Sequence, residues 1–311
     1  MPGATLLLLT FLASAGDAPT PEEKALAFLE REVPRWAEKN KCYSCHNNGD
    51  AAGALYRAVK LGRKVRPEAL ADTTRWLSRP GEWDNNGGDG AFNDRKLAAL
   101  QFSAALVEAI DSGLLKNPEA LSRAAERVAN QQDEDGGWTT DAEGAIGSPA
   151  THGRALATYF ARRNLVLADE KKYARVIGRA DRWARNLAIK TVPDAAGVLL
   201  ALGRADDDLA VKQRQAALAY LVKAEGRDGG WGPDARSPNE VFDTAIAVLA
   251  LTAPPDDDTL RTMRRRGRAY LVKTQQEDGS WPETTRPSGA TSYAQRLATA
   301  GWATLALLAT P

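Results

Sequence analysis

The chain has two cysteines and two histidines, and three of these four residues fall together in Cys42-Tyr43-Ser44-Cys45-His46. Two thiols at this spacing can close a short disulfide. They can also hold one planar group at two points, with the adjacent imidazole placed to reach a metal. Taken with His152, the four residues make the two-cysteine, two-histidine set that suits structural zinc. His152 itself reads either as a hydrogen-bonded wall residue or as a second ligand opposite His46. A separate constellation is acidic: Glu240 and Asp243 stand one helical turn apart, so both carboxyls can face one cavity as an acid/base pair.

The pentapeptide resembles the attachment site of c-type cytochromes. That resemblance implies thioethers from Cys42 and Cys45 to one haem c, iron ligation by His46, and a redox protein partner. His152 is then the expected distal ligand. Residues 1–15, MPGATLLLLTFLASA, carry a short apolar core from Leu6 and end in Ala13-Ser14-Ala15. They read as a signal peptide cut after Ala15, too short to span a membrane. The expected location is periplasmic or extracellular, which suits haem attachment. Zinc, or no cofactor and a disulfide, remains the alternative.

What must position these groups is a repeat. The pattern Q-x-x-D-G-x-W occurs from Gln132 to Trp138 and from Gln275 to Trp281, and again from Glu225 to Trp231 with Glu in first place. Ala219-Tyr220-Leu221-Val222-Lys223 and Ala269-Tyr270-Leu271-Val272-Lys273 are identical, at the same offset from their tryptophans. Self-similarity at fixed offset marks stacked helix pairs. Within the motif, Gly takes the positive φ that ends a helix, and Trp supplies a large anchor against the next repeat.

Apolar periodicity predicts twelve helices, at 22–39, 51–61, 67–79, 94–111, 118–130, 149–163, 170–187, 193–202, 209–223, 239–251, 259–273 and 292–308. The odd ones are more polar and should be outer. The even ones, rich in Ala, Leu and Val, should be inner. All outer-to-inner loops then share one rim: 40–50, 80–93, 132–148, 188–192, 225–238 and 276–291. The 80–93 loop, with Trp83, looks like a degenerate motif. Asp94, Arg95, Arg154, Asp194, Tyr293 and Arg296 lie near the inner-helix starts, as caps and inter-repeat ion pairs or as a binding rim.

These units resemble the QW motif and following inner helix of the squalene–hopene cyclases and prenyltransferase-type repeat proteins, over most of residues 66–311. The resemblance implies an all-α (α/α)6 toroid, here a single domain over 16–311. A terpene cyclase of this type needs a proton-donating D-x-D-D in its cavity, and a zinc prenyltransferase needs Asp, Cys and His across the rim. Neither is found. The acidic triplets at 206–208 and 256–258 precede outer helices, where carboxylates cap.

At 43% hydrophobic and 26% charged residues, the composition is that of a soluble globular protein, and no stretch predicts a membrane span. The net charge of +1 leaves no basic excess to neutralise nucleic-acid phosphates. The expected function is electron transfer or redox sensing by a haem-bearing toroid. The alternatives are a cavity-binding protein or enzyme acting on a terpenoid or saccharide, and an interaction scaffold without haem.

Overall fold

Helix starts in this chain are set by local chemistry. Thr20 and Glu23 form a reciprocal capping box with Pro21 in the first turn, and prolines also open the helices at 67 and 118. Asp207 and Asp257 accept the amides of Ala210 and Leu260, so both acidic triplets act as caps. The computed structural model describes residues 18–85, 95–142, 144–286 and 289–310; the expected signal peptide and Asp94 lie outside the described residues. Its helices are α1 (Pro21–Asn40), α2 (Ala52–Lys60), α3 (Pro67–Leu77), α4 (Arg95–Asp111), α5 (Pro118–Asn130) and α6 (Arg154–Asp169). They continue as α7 (Ala174–Asn186), α8 (Val192–Leu202), α9 (Asp208–Ala224), α10 (Val241–Ala250), α11 (Asp258–Thr274) and α12 (Tyr293–Ala309).

The even helices pack on one another in order, and α12 returns onto α2, closing an inner ring. The odd helices pack outside it. Burial separates the two layers. Nine of the ten α10 residues are buried, whereas α11 buries only Leu260, Met263, Gly267 and Leu271, the single stripe of an amphipathic helix. The expected all-α (α/α)6 toroid is therefore the observed one. No helix among the described residues is long and apolar enough to cross a membrane.

The three motif copies are equivalent in detail. The indole N–H of Trp138, Trp231 and Trp281 donates to the carbonyl ten residues back, on Val128, Leu221 and Leu271, at 2.8, 2.9 and 2.8 Å. All three side chains are fully buried. Gly136, Gly229 and Gly279 have φ of +102°, +83° and +89°. A Cβ on any of them would press within 3 Å of the carbonyl oxygen of Arg179, Arg266 or Lys24. Those carbonyls belong to α7, α11 and α1, the next outer helix in each case. Gln132 bridges Gly136 and Val176 through its side-chain amide, and Gln275 bridges Gly279 and Pro21. Glu225 pairs instead with Arg266 at 3.2 Å. Trp83 is buried too, but its indole reaches Trp76, seven residues back, so the degenerate copy keeps the anchor and loses the spacing.

The structure differs from the periodicity at two places. Helix α6 begins at Arg154, not near Pro149. Residues before it form a tight turn with His152 and Gly153 at φ +69° and +72°, and Gly147 packs backbone to backbone on Gly153. His152 is therefore a turn residue and not part of the helix. A six-residue π-helical turn, His46–Ala51, also precedes α2 and continues into it.

Truncating a motif tryptophan removes a buried aromatic and its hydrogen bond together. Trp231→Ala is expected to lower unfolding free energy by roughly 3–5 kcal/mol. The same truncation at exposed Leu209 should stay within about 0.5 kcal/mol. Urea denaturation of both variants measures the contrast.

Candidate functional site

The π-helical turn sets His46 and Asp50 four residues apart on one side of the chain, with His46 Nδ1 at 4.0 Å from Asp50 Oδ2. Two neighbouring inner units then converge on the same carboxylate. From α4, the Gln101 side-chain amide donates to Asp50 Oδ2 at 3.0 Å and to the carbonyl of Ala150 at 2.9 Å. From the turn before α6, His152 Nε2 lies 2.7 Å from Asp50 Oδ1. Gln101 Nε2 is also 3.3 Å from His152 Nε2. The Asp50 side chain is 6% exposed and that of His152 only 2%. A buried carboxylate is costly unless paired and hydrogen-bonded, and here His152 and Gln101 meet that need.

Packing fixes the cluster from above. Trp302 of α12 stands edge-on to the His152 ring at 5.3 Å, and Phe160 lies 5.5 Å away. The preceding residue, Gly301, lets α12 rest directly on the Asp50 backbone, where a Cβ would meet the carbonyl oxygen at 3.0 Å. Asp50, Gln101, His152, Phe160 and Trp302 line a cavity of about 40 Å³ at the ring centre, with Glu108 deeper along α4.

Burial lowers the pKa of His46; Asp50 opposes that shift and His152 adds to it. The imidazole is therefore neutral at pH 7. Its Nδ1 has no hydrogen-bond partner among the described residues, and its Nε2 lies 3.9 Å from Cys45 Sγ. Cys42 and Cys45 are not joined in a disulfide, and both are partly exposed. The loop carrying them is held firmly. Asn47 donates to the Glu32 carbonyl and to Tyr293, Asn48 to Thr73, and Tyr43 stacks on Trp76 at 4.4 Å.

The expected zinc set is not assembled. Among the described residues no three Cys, His, Asp or Glu side chains come together to hold a metal ion. His152 directs Nε2 at Asp50, and its Nδ1 has no hydrogen-bond partner among the described residues. Asp50 and Gln101 escaped the sequence reading. The signal for Asp50 was its place four residues after His46; for Gln101, it was one amide in a helix of Ala and Leu.

Glu240 and Asp243 do face one place, but Arg286 fills it. Its guanidinium donates to both Asp243 oxygens at 2.8 and 2.9 Å, to Glu240 at 2.5 Å, and to the Gly147 carbonyl at 2.9 Å. The acid/base expectation is thus replaced by a clamp between two rim loops. Arg154 with Asp135, Arg296 with Asp278, and the Asp194 capping box show the same structural use of rim charges. Arg95 opens α4 as its first residue.

Burial is the largest influence on Asp243; Arg286 pulls its pKa down, Glu240 pushes it up, and the outcome is about 7. An unfolded carboxyl titrates near 3.8. The folded state therefore holds the extra proton between these values, and stability falls as pH rises through that window. Below pH 6.5 the depressed His46 acts in the opposite sense. The difference between wild type and Asp243→Asn isolates the carboxyl. Urea midpoints from pH 4 to 7.5 should show wild type losing stability relative to the variant as pH rises.

Residues 169–311 match the family described as the squalene-hopene cyclase C-terminal domain. A probable squalene–hopene cyclase from Sinorhizobium fredii is 26% identical over 266 residues, covering 71% of this chain. The chain spans 40% of that relative's length. Among solved structures, a variant of the type II terpene cyclase MstE from Scytonema, bound to geranylgeranyl dihydroxybenzoate, is 15% identical with a TM-score of 0.61. The match covers 94% of this chain and 98% of that one. A glycosidase variant is 14% identical with a TM-score of 0.57, covering 92% and 96%. The chain thus has the α/α toroid fold that terpene cyclases share with a glycosidase, and its C-terminal part matches the squalene-hopene cyclase family.

Proposed function

We propose that this chain binds the narrow end of an apolar, terpenoid-class ligand at the ring centre, where the Asp50–His152 pair moves a proton. The observation that carries this reading is the convergence of His46, Gln101 and His152 on one buried carboxylate beside a cavity walled by Phe160 and Trp302. Titratable groups gathered in a cleft make a functional-site candidate. The carboxylate orients the imidazole through its 2.7 Å contact, the arrangement general acid–base catalysis uses.

The chemistry has limits set by magnitude. Alkene-initiated cyclisation is not part of the proposal, because an imidazolium is a far weaker acid than protonation of an isolated alkene demands. A proton beside a carbonyl is within reach. A 40 Å³ cavity has room for little more than a water molecule, against roughly 300–1,000 Å³ for a typical ligand site. The ligand's bulk would lie toward the rim, or displace Trp302 and Phe160.

Geranylacetone, an apolar chain ending in a methyl ketone, tests this in D2O. Deuterium entry beside the carbonyl should be catalysed by wild type and fall roughly 10²–10⁴-fold in Asp50→Asn and His152→Gln. No catalysed exchange, or exchange unchanged in both variants, would contradict the reading.

A second reading is favoured by the orientation of His46. Its Nε2 lies on the thiol side, 3.9 Å from Cys45 Sγ, and its Nδ1 lies 4.0 Å from the Asp50 carboxylate. In this reading Cys42 and Cys45 would tether one haem c and His46 would ligate its iron. A bound haem would supply one-electron exchange with a partner protein outside the cytoplasm. Protein exported from cells with a haem-attachment system should gain the mass of one haem and show haemochrome bands, both lost when Cys42 and Cys45 are replaced by Ala. Mature protein carrying zinc, or only a disulfide, would end this reading.

A further inference from the structure

A larger cavity, about 560 Å³, opens on the same rim where the ring closes, between α1 and α12. Its floor is aromatic. Trp36 and Tyr293 stack at 6.0 Å with their planes 19° apart, and Phe28 lies beneath the guanidinium groups of Arg31 and Arg296 at 5.3 and 5.6 Å. Its wall is cationic. Arg31, Arg35, Lys39 and Arg296 line it against the two carboxylates Glu32 and Asp278. Glu32 is buried and shared between Arg31 and Arg35, and Asp278 takes Arg296, so each arginine still offers donors to the cavity. The Trp36 indole N–H is buried there and has no hydrogen-bond partner among the described residues.

We propose that this groove binds a planar aromatic carboxylate, its ring on Trp36 and Tyr293 and its carboxylate on the arginine wall. The volume falls in the range of sites for small organic ligands, roughly 300–1,000 Å³. Guanidinium forks match the geometry of a carboxylate, and the surplus positive charge sets the sign of the ligand. The open side of a stacked indole–phenol pair selects a flat ring over a branched aliphatic body. Tyr293 also accepts from Asn47, one residue beyond His46, so the groove is coupled to the loop that carries the thiols. This site is separate from the ring-centre cavity and does not rest on the function proposed for it.

Calorimetric titration of the full chain with 2-naphthoate tests the assignment, with 2-naphthamide and acetate as the neutral and ringless controls. Naphthoate should bind at least roughly tenfold more tightly than either control and weaken as salt is raised. Trp36→Leu should abolish binding. The double variant Arg31→Gln with Lys39→Gln, both exposed side chains, should weaken it about tenfold while leaving the far-ultraviolet spectrum and melting temperature in place. Equal binding of acid and amide, binding retained in Trp36→Leu, or no binding to wild type would each overturn the proposal. Trp36→Leu is read only if its melting temperature matches wild type; if it does not, the double variant alone decides the matter, by weakening binding or leaving it unchanged.

Discussion

Where the third motif meets the first helix, Gln275 donates to the Pro21 carbonyl and Gly279 lies against that of Lys24. This contact turns a row of helix pairs into a ring. The glycine contact occurs inside the chain at α7 and α11 and the glutamine bridge at α7, so closure reuses an interface the repeats already possess. Without it α2 would be a terminal helix with one face in water. With it, α12 lies on α2 and the π-helical turn, and Trp302 covers His152. The seam also forms the aromatic groove between α1 and α12, so both candidate sites depend on the closing of the ring.

The buried polar groups of the rim are cross-links as well as chemistry. Asp50 joins the first inner unit to α4 and to the turn before α6. Arg286 joins the last rim loop to α10 and to the carbonyl of Gly147. Each places charge out of water and recovers the cost through several hydrogen bonds at once. His152 adds a left-handed backbone, an uncommon state for a residue with a side chain, held by its amide bond to the Ser148 carbonyl and by the Gly147–Gly153 contact. Strain of this kind at a buried histidine fits a site whose geometry matters more than its local stability.

How much of this was readable depended on the range of the interactions. The ring, its two layers and the anchoring tryptophans were legible because periodicity and motif spacing are local properties repeated along the chain. Helix α6 was misplaced because Pro149 looks like a helix-opening residue, while the turn at His152 is imposed by a glycine contact across it. The Glu240–Asp243 spacing was legible, but Arg286 lies 43 residues beyond Asp243 in a loop, and nothing local links them. The thiol–imidazole pentapeptide stood out in the sequence. Its carboxylate partner and the distant Gln101 became visible only once three units met.

The central claim is that one carboxylate, Asp50, couples the two histidines of this chain. Because there are only two, nitrogen-15 spectra of the imidazoles carry no assignment ambiguity beyond a single exchange. Their pH titration in wild type and in Asp50→Asn is the most direct measurement. Asp50 opposes the burial that depresses His46, so its neutralisation should lower the His46 pKa further and shift the His152 Nε2 resonance in the same variant. If both imidazoles keep their wild-type resonances and titration in Asp50→Asn, the coupling does not exist and the account of the ring centre is wrong.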